Sequence, residues 1–439
     1  MSQPLPEGVE LTELGSGLRV VTEAMPSVRS VALGLWVRTG SRDEAPPQAG
    51  LSHFLEHLLF KGTPRRSAIE ISEELDAMGA SANAATGKES TNLFARFLDE
   101  HTDEAFELLA EMLREPTLPA DEVDSEREVI LEEIAMYEDE PQDRVHDVLA
   151  EAIFGDHPLG RRVLGRSEVI ASVPVPEIRA YHDARYTAPN VVVAAAGHLD
   201  HEQVVALARD YLQEQLPSVG KPTDGSAVGP ANGNPVKEPR LCFYPKETEQ
   251  YHVCFGGPGL SRADERRFAL LVLDAAFGGS SSSRLFREIR EKRGLAYSVG
   301  SYIDQFVDDG AVAMYVGTRG ENVGEACEII GRELARLGDD RVDGQELDRA
   351  KEHVKGRIVL GLESTAARMM RCARSILYDV PLLSLDELLA RVDAVTAEEV
   401  AMLAREFYDP AALSGACIGA EEDRFRGAAE SVSPQLTAA

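Results

Sequence analysis

At 439 residues, 44% of them hydrophobic, the chain is too long for one ordinary core and is expected to form two or three domains. No uninterrupted apolar run approaches the roughly 18 residues of a membrane span, and a net charge of −30 would repel a phosphate backbone, which excludes membrane and nucleic acid as partners. The acidic residues are spread throughout, the pattern of a solvated surface with only a weak pull on basic peptides.

Five cysteines, Cys242, Cys254, Cys327, Cys372 and Cys417, are odd in number and lack a CxxC pair, so they read as small hydrophobes in a reducing compartment. Met1 to Glu13 carries acidic and proline residues where a targeting segment needs basic and apolar ones. The expected location is the cytoplasm.

In chain order, Leu18 to Val21 and Val31 to Val37 are apolar, β-branched runs that predict the first strands of a sheet. Gly40 to Gln48 reads as a polar loop leading into a helix, Gly50 to Thr63. In that helix Leu51, Phe54, Leu55, Leu58 and Leu59 recur at three- and four-residue steps, and Gly62 and Pro64 close it. His53, Glu56 and His57 lie off this stripe. At i, i+3 and i+4 they share one face, so two imidazoles can reach a single ion while a carboxylate stands beside it. This HxxEH pattern is the mirror of the HExxH motif of zinc peptidases. Read alone it competes with a pair of ordinary core or surface histidines, and a hydrolytic zinc would also need a third protein ligand from elsewhere in the chain.

Ser67 to Met78 has helical periodicity. Ala80 to Thr86 is a strand of small residues, paired through Gly87-Lys88 with Asn92 to Leu98. A strand of Ala, Ser and Asn has little to bury, so it is either a poor edge or an edge left open for an added peptide. His101 to Arg114 is an amphipathic helix, and Asp121 to Tyr137 a long acidic one. Glu126 and Glu133 stand two turns apart on nearly the same face of it, whereas Glu128 and Glu132 point elsewhere. Asp156 to Gly165 is a loop, Pro176 to Tyr186 a helix and Val191 to Ala196 an apolar run. Leu216 to Pro239, rich in proline and glycine, is the clearest linker.

Beyond the linker the pattern repeats. Val173, Ile178, Tyr186 and Gly197 are matched by Val395, Val400, Tyr408 and Gly419, each 222 residues on, and Arg19 to Glu44 is echoed by Arg240 to Glu265. The expected architecture is α+β, two homologous α/β-sandwich-like domains, each a mixed or antiparallel sheet covered by helices and related by internal duplication. The boundaries expected are 1–216 and 240–425, with a linker at 217–239 and a flexible tail at 426–439. Asp274, Phe277 and Gly278 stand where His53, Glu56 and His57 stood, so only the first copy carries the motif. In the second copy Ser280 to Ser283 opens a basic helix, Arg284 to Arg293, without the spacing of a phosphate loop. Arg290 and Tyr297 near its end are either hydrogen-bond donors for a ligand or surface groups.

HFLEH, the downstream EREVILEE (Glu126 to Glu133) and REKRGLAYSV (Arg290 to Val299), in a duplicated chain, resemble the pitrilysin/insulinase family of inverted-motif zinc peptidases. The likeness is to its short members, the mitochondrial processing peptidase β-subunit and bacterial processing-peptidase-like proteins. The resemblance implies one zinc ion per chain, bound by His53, His57 and Glu133, with Glu56 as general base and Glu126 supporting the ligands. It implies that Asn83 and Ala84 lie along the substrate main chain and that Arg290 and Tyr297 reach the substrate from the second half of another protomer, in a homodimer. The activity implied is that of a zinc metalloendopeptidase or oligopeptidase acting on unfolded peptides. The rival is a catalytically inactive structural subunit or peptide-binding module of the same fold.

Overall fold

The computed structural model describes residues 4–217, 238–339 and 342–437. The linker expected between the halves falls almost wholly outside the described residues.

Six strands of the first half, β1 (Val9–Glu13), β2 (Arg19–Ala24), β3 (Ser30–Val37), β4 (Ser81–Thr86), β5 (Thr91–Leu98) and β6 (Val191–Gly197), form a sheet in the order β1-β2-β6-β3-β5-β4. β2 and β6 run parallel and the other pairs antiparallel. Every residue of β6 is buried, as its unbroken Val and Ala run requires of a strand covered on both faces. Among the described residues β4 is one edge of the sheet and pairs only with β5.

The second half gives β7 (Leu241–Pro245), β8 (Tyr251–Pro258), β9 (Ala296–Gln305), β10 (Gly310–Thr318) and β11 (Ser414–Gly419), in the order β7-β11-β8-β10-β9. That is the order of the first sheet without β1, and the parallel pair, β7 with β11, recurs in the matching place. The fold is therefore α+β and duplicated, as the sequence predicts.

Four helices carry the rest of the argument: α1 (Leu51–Leu58), α2 (Ala120–Asp139), α3 (Pro141–Phe154) and α4 (Thr365–Leu377). The chain divides into two compact units, and two segments cross between the halves: Met136–Gly160 belongs with the second unit and Leu360–Ser384 with the first. α3 and α4 occupy matching positions in the two copies, so the exchange is reciprocal. α3 brings Val145, Val148, Leu149 and Ile153 onto Cys254 of β8 and Ala416 and Ile418 of β11. α4 lies on the first sheet through Met369, whose sulfur meets Trp36 Nε1 at 3.4 Å. Gly34 leaves the room for this contact, since a Cβ there would come within 2.8 Å of that sulfur.

Several expectations need correction. The motif helix ends at Leu58, well short of Thr63, because the chain turns tightly through Leu59 to Thr63. The polar loop Gly40 to Gln48 is buried in its first part: Ser41, Arg42, Asp43 and Glu44 are shielded from solvent, Arg42 pairing with Glu89 and the two acids accepting from backbone N–H groups. The tail expected at 426–439 is packed as far as it is described, for the helix Glu422–Ala429 continues into a segment whose Val432 and Leu436 are buried. β1 and α3 are additions. The basic helix after Ser283 is wound as a π-helix over Phe286–Glu291. All five cysteines are free, four of them buried. Among the described residues no helix is long and apolar enough to cross a membrane.

The docking of α4 rests on one buried carboxylate. Glu23 of β2 pairs with Arg368, lies 3.5 Å from Arg371 and accepts from the Cys372 thiol at 3.6 Å. Removing the closest cation leaves a desolvated acid under-satisfied, so Arg368→Ala is expected to cost about 1–3 kcal/mol. Denaturant unfolding of the two proteins measures the difference.

Candidate metal centre

α1 is only two turns long, and its first turn is fixed by a backbone crossing. Gly50 precedes it with φ 103°, and a Cβ there would meet Leu164 O and Ile170 Cδ1, both at 2.9 Å. Side chains rarely adopt that φ, and here none would fit. Its apolar face, Leu51, Phe54, Leu55 and Leu58, is fully buried in the first core. The opposite face carries His53 and His57 one turn apart, their rings edge-to-face with centroids 4.6 Å apart.

α2 crosses this face. Val123, Ile130 and Ile134 seat it in the same core, which aims Glu126 and Glu133 at the two imidazoles. His57 Nε2 and His53 Nε2 lie 3.2 Å apart, and Glu133 Oε2 stands 3.5 Å from the first and 3.7 Å from the second. Among the described residues His53, His57 and Glu133 are the one group of such side chains whose ligand atoms converge, all within 4.8 Å of one another.

The donors fit a zinc ion. Bonds of about 2.0–2.2 Å at tetrahedral angles require donor separations of about 3.3–3.6 Å, close to those observed. Burial, with His57 beside it, pushes His53 down to about 4, so its ring is neutral at pH 7 and offers a lone pair. His57 Nδ1 lies 2.8 Å from Glu126 Oε1, which assigns the proton to Nδ1 and leaves Nε2 as the donor atom facing the group. Glu126 is itself held by Lys61.

Glu56 projects from α1 beside this cluster. Burial raises its carboxyl above the usual range, opposed by hydrogen bonds from the Thr86 hydroxyl and main chain and by His57. Thr86 ends β4, so the acid of the motif is tied to the edge strand. On that strand Asn83 is exposed and Ala84 buried, with Asn83 Oδ1 accepting from the Ala84 N–H at 2.9 Å.

Arg290 and Tyr297 sit in the second unit, Arg290 in the π-helix and Tyr297 at the start of β9. Arg290 donates to the Tyr297 carbonyl at 2.7 Å, and its guanidinium lies between the Phe286 and Tyr297 rings, 4.8 and 4.5 Å from their centroids. The Tyr297 side chain is left 78% exposed. Three residues at the first site were not foreseen: Lys61, Thr86 and Glu44. Lys61 stands one turn beyond His57, a spacing visible in the sequence, and Thr86 closes the expected edge strand. Glu44 gave no signal, since it lay in a stretch read only as a polar loop.

Residues 19–167 match the model of the insulinase peptidases, family M16, and residues 172–354 match the M16 inactive domain. The chain belongs to the M16 peptidase family. This M16 chain is 44% identical over 399 residues to an uncharacterized zinc protease of Streptomyces coelicolor, spanning 91% of the chain and 87% of that protein. It is 40% identical to one of Bacillus subtilis, spanning 90% and 94%. In fold it resembles a protease from Helicobacter pylori, with a TM-score of 0.85 at 22% identity over 95% of the chain and all of that structure. The inactive-domain match falls on the copy in which Asp274, Phe277 and Gly278 replace the motif.

Glu126→Ala removes the partner that orients His57 without touching a ligand atom. It is expected to weaken binding of added Zn2+ roughly 10–100-fold, measured by competition with a chromophoric chelator.

Proposed function

We propose that this chain is a zinc metallopeptidase that cleaves extended, unfolded peptides in the cytoplasm, one zinc ion per chain being held by His53, His57 and Glu133. The observation that carries the reading is the convergence of two imidazoles and one carboxylate within 3.7 Å of each other. Three protein donors is the count of catalytic zinc sites, whereas structural sites take four.

Zinc bound there would supply Lewis acidity toward water and the scissile carbonyl. Glu56 takes the proton of the attacking water and delivers it to the departing amine. A carboxyl raised by burial, yet tied to Thr86, suits both directions of that transfer. Glu126 keeps the His57 proton on Nδ1. The free edge of β4 takes the substrate main chain as an added strand, with Asn83 and Ala84 along it, which is why an extended peptide is the substrate class. The preference for unfolded chain follows from the same geometry, since a folded protein has no free strand to offer.

Arg290 and Tyr297 act on substrate as hydrogen-bond donors near the developing negative charge, supplied to the zinc half of one protomer by the second half of its partner in a homodimer. The exposed Tyr297 ring, with Arg290 stacked beneath it, supports a role directed outward from its own unit.

Glu56→Gln is expected to keep its zinc and lose at least about 100-fold in turnover of a quenched peptide library. Full turnover in that variant would remove Glu56 from the mechanism, and a wild-type protein without zinc-dependent cleavage would leave the inactive-subunit reading in its place. The shared site makes a separate prediction. Mixing Glu56→Gln chains with Tyr297→Phe chains should restore up to about a quarter of wild-type activity, because half the dimers then hold one intact site. Two sites complete within their own protomers would show no recovery.

A further inference from the structure

The N-terminus of α1 presents a problem that its own sequence does not solve. The first N–H groups of a helix lack intrahelical partners, the capping position is Gly50, which has no side chain, and the region is closed to water. The partner comes from six residues upstream. Glu44, 1% exposed, accepts from the Gly50 N–H through one carboxylate oxygen and from the Ser52 N–H through the other, each at 2.7 Å.

Ser52 immediately precedes His53, and its other polar groups are held too. Its hydroxyl meets the Tyr181 hydroxyl at 2.8 Å, Tyr181 meets Thr39 at 3.2 Å, and its carbonyl lies 3.4 Å from the Thr86 hydroxyl. Ser52 is thus gripped at N–H, side chain and carbonyl. Arg161 secures the Glu44 backbone by donating to its carbonyl at 2.6 Å.

We infer that Glu44 is a positioning residue, a buried clamp that sets the rotation of α1 about its axis and so brings His53 Nε2 and His57 Nε2 onto one ion. The inference rests on the proposed zinc site. A helix of two turns has too few of its own hydrogen bonds to resist rotation, and an imidazole nitrogen some 6–7 Å from the axis moves by roughly 1 Å for each 10°. A metal site tolerates about 0.5 Å. The acid also sits at the helix N-terminus, where the helix dipole favours negative charge.

A cap that merely stabilised the fold would change melting and leave metal binding alone. A clamp changes the metal site in a protein that remains folded. Glu44→Gln keeps one acceptor and loses the other, while Glu44→Asp keeps the charge at shorter reach. For folded Glu44→Gln, the expected result is Zn2+ affinity reduced roughly tenfold, together with an altered visible spectrum of the Co2+-substituted protein and a fall in kcat larger than any change in KM. Glu44→Asp is expected to recover part of the affinity. Wild-type affinity and an unchanged Co2+ spectrum in folded Glu44→Gln would overturn the inference.

Should Glu44→Gln not fold, Tyr181→Phe decides, since it releases the Ser52 and Thr39 hydroxyls and leaves both Glu44 hydrogen bonds in place. A folded Tyr181→Phe is expected to lose roughly threefold in Zn2+ affinity, and unchanged affinity there would overturn the clamp. Wild-type protein that fails to bind Zn2+ at all would instead defeat the zinc reading itself, a result separable from any comparison between variants.

Discussion

Two imidazoles pointing at each other across 3.2 Å are a poor arrangement for two bases, and the rest of the first unit is built to enforce it. Left alone, one ring would turn to donate to the other or to water. Glu126 prevents this by fixing the proton of His57 on Nδ1, and burial prevents His53 from becoming charged. Glu133 then brings a third acceptor to the same point, where a cation would be held by all three. The core beneath α1 and α2, the crossing at Gly50 and the acid behind Ser52 all hold two short stretches of chain in this one relation.

The motif was legible because helical periodicity is legible. His53, Glu56 and His57 fall on one face by spacing alone, and Glu126 and Glu133 were separated from Glu128 and Glu132 by the same arithmetic. Spacing could not say which of the two would face the rings directly and which would meet a ring from behind. That division depends on how α2 is seated by Val123, Ile130 and Ile134, a matter of packing between elements distant in sequence. The stretch Gly40 to Gln48 was misread for a related reason. Its composition is polar, and polarity predicts solvent exposure unless each group has an internal partner. Here the partners are the Gly40 N–H for Asp43, Glu89 for Arg42 and the N–H groups of Gly50 and Ser52 for Glu44, which composition does not reveal.

The duplication was legible from a repeated offset, and the five strands of the second sheet repeat the order of the first without β1. What the copies do not share is chemistry. The second retains its free edge, β9, and a stacked Arg290 and Tyr297, while the position of His53 is taken by Asp274, whose carboxylate accepts from Ser301 at 2.5 Å. One copy thus kept the polar face of its helix for ligation, and the other turned the same position into an internal hydrogen bond. The scaffold tolerated this because the apolar faces, not the polar ones, determine how the sheets are covered.

The reciprocal passage of α3 and α4 bears on ancestry. A half-length forebear, folded by itself, would have shown a bare strip over its central strands and carried a helix with nowhere to lodge. Two such molecules trading that helix would cure each other's defect. Joining two genes of that kind would preserve the trade inside a single polypeptide, the arrangement this chain has.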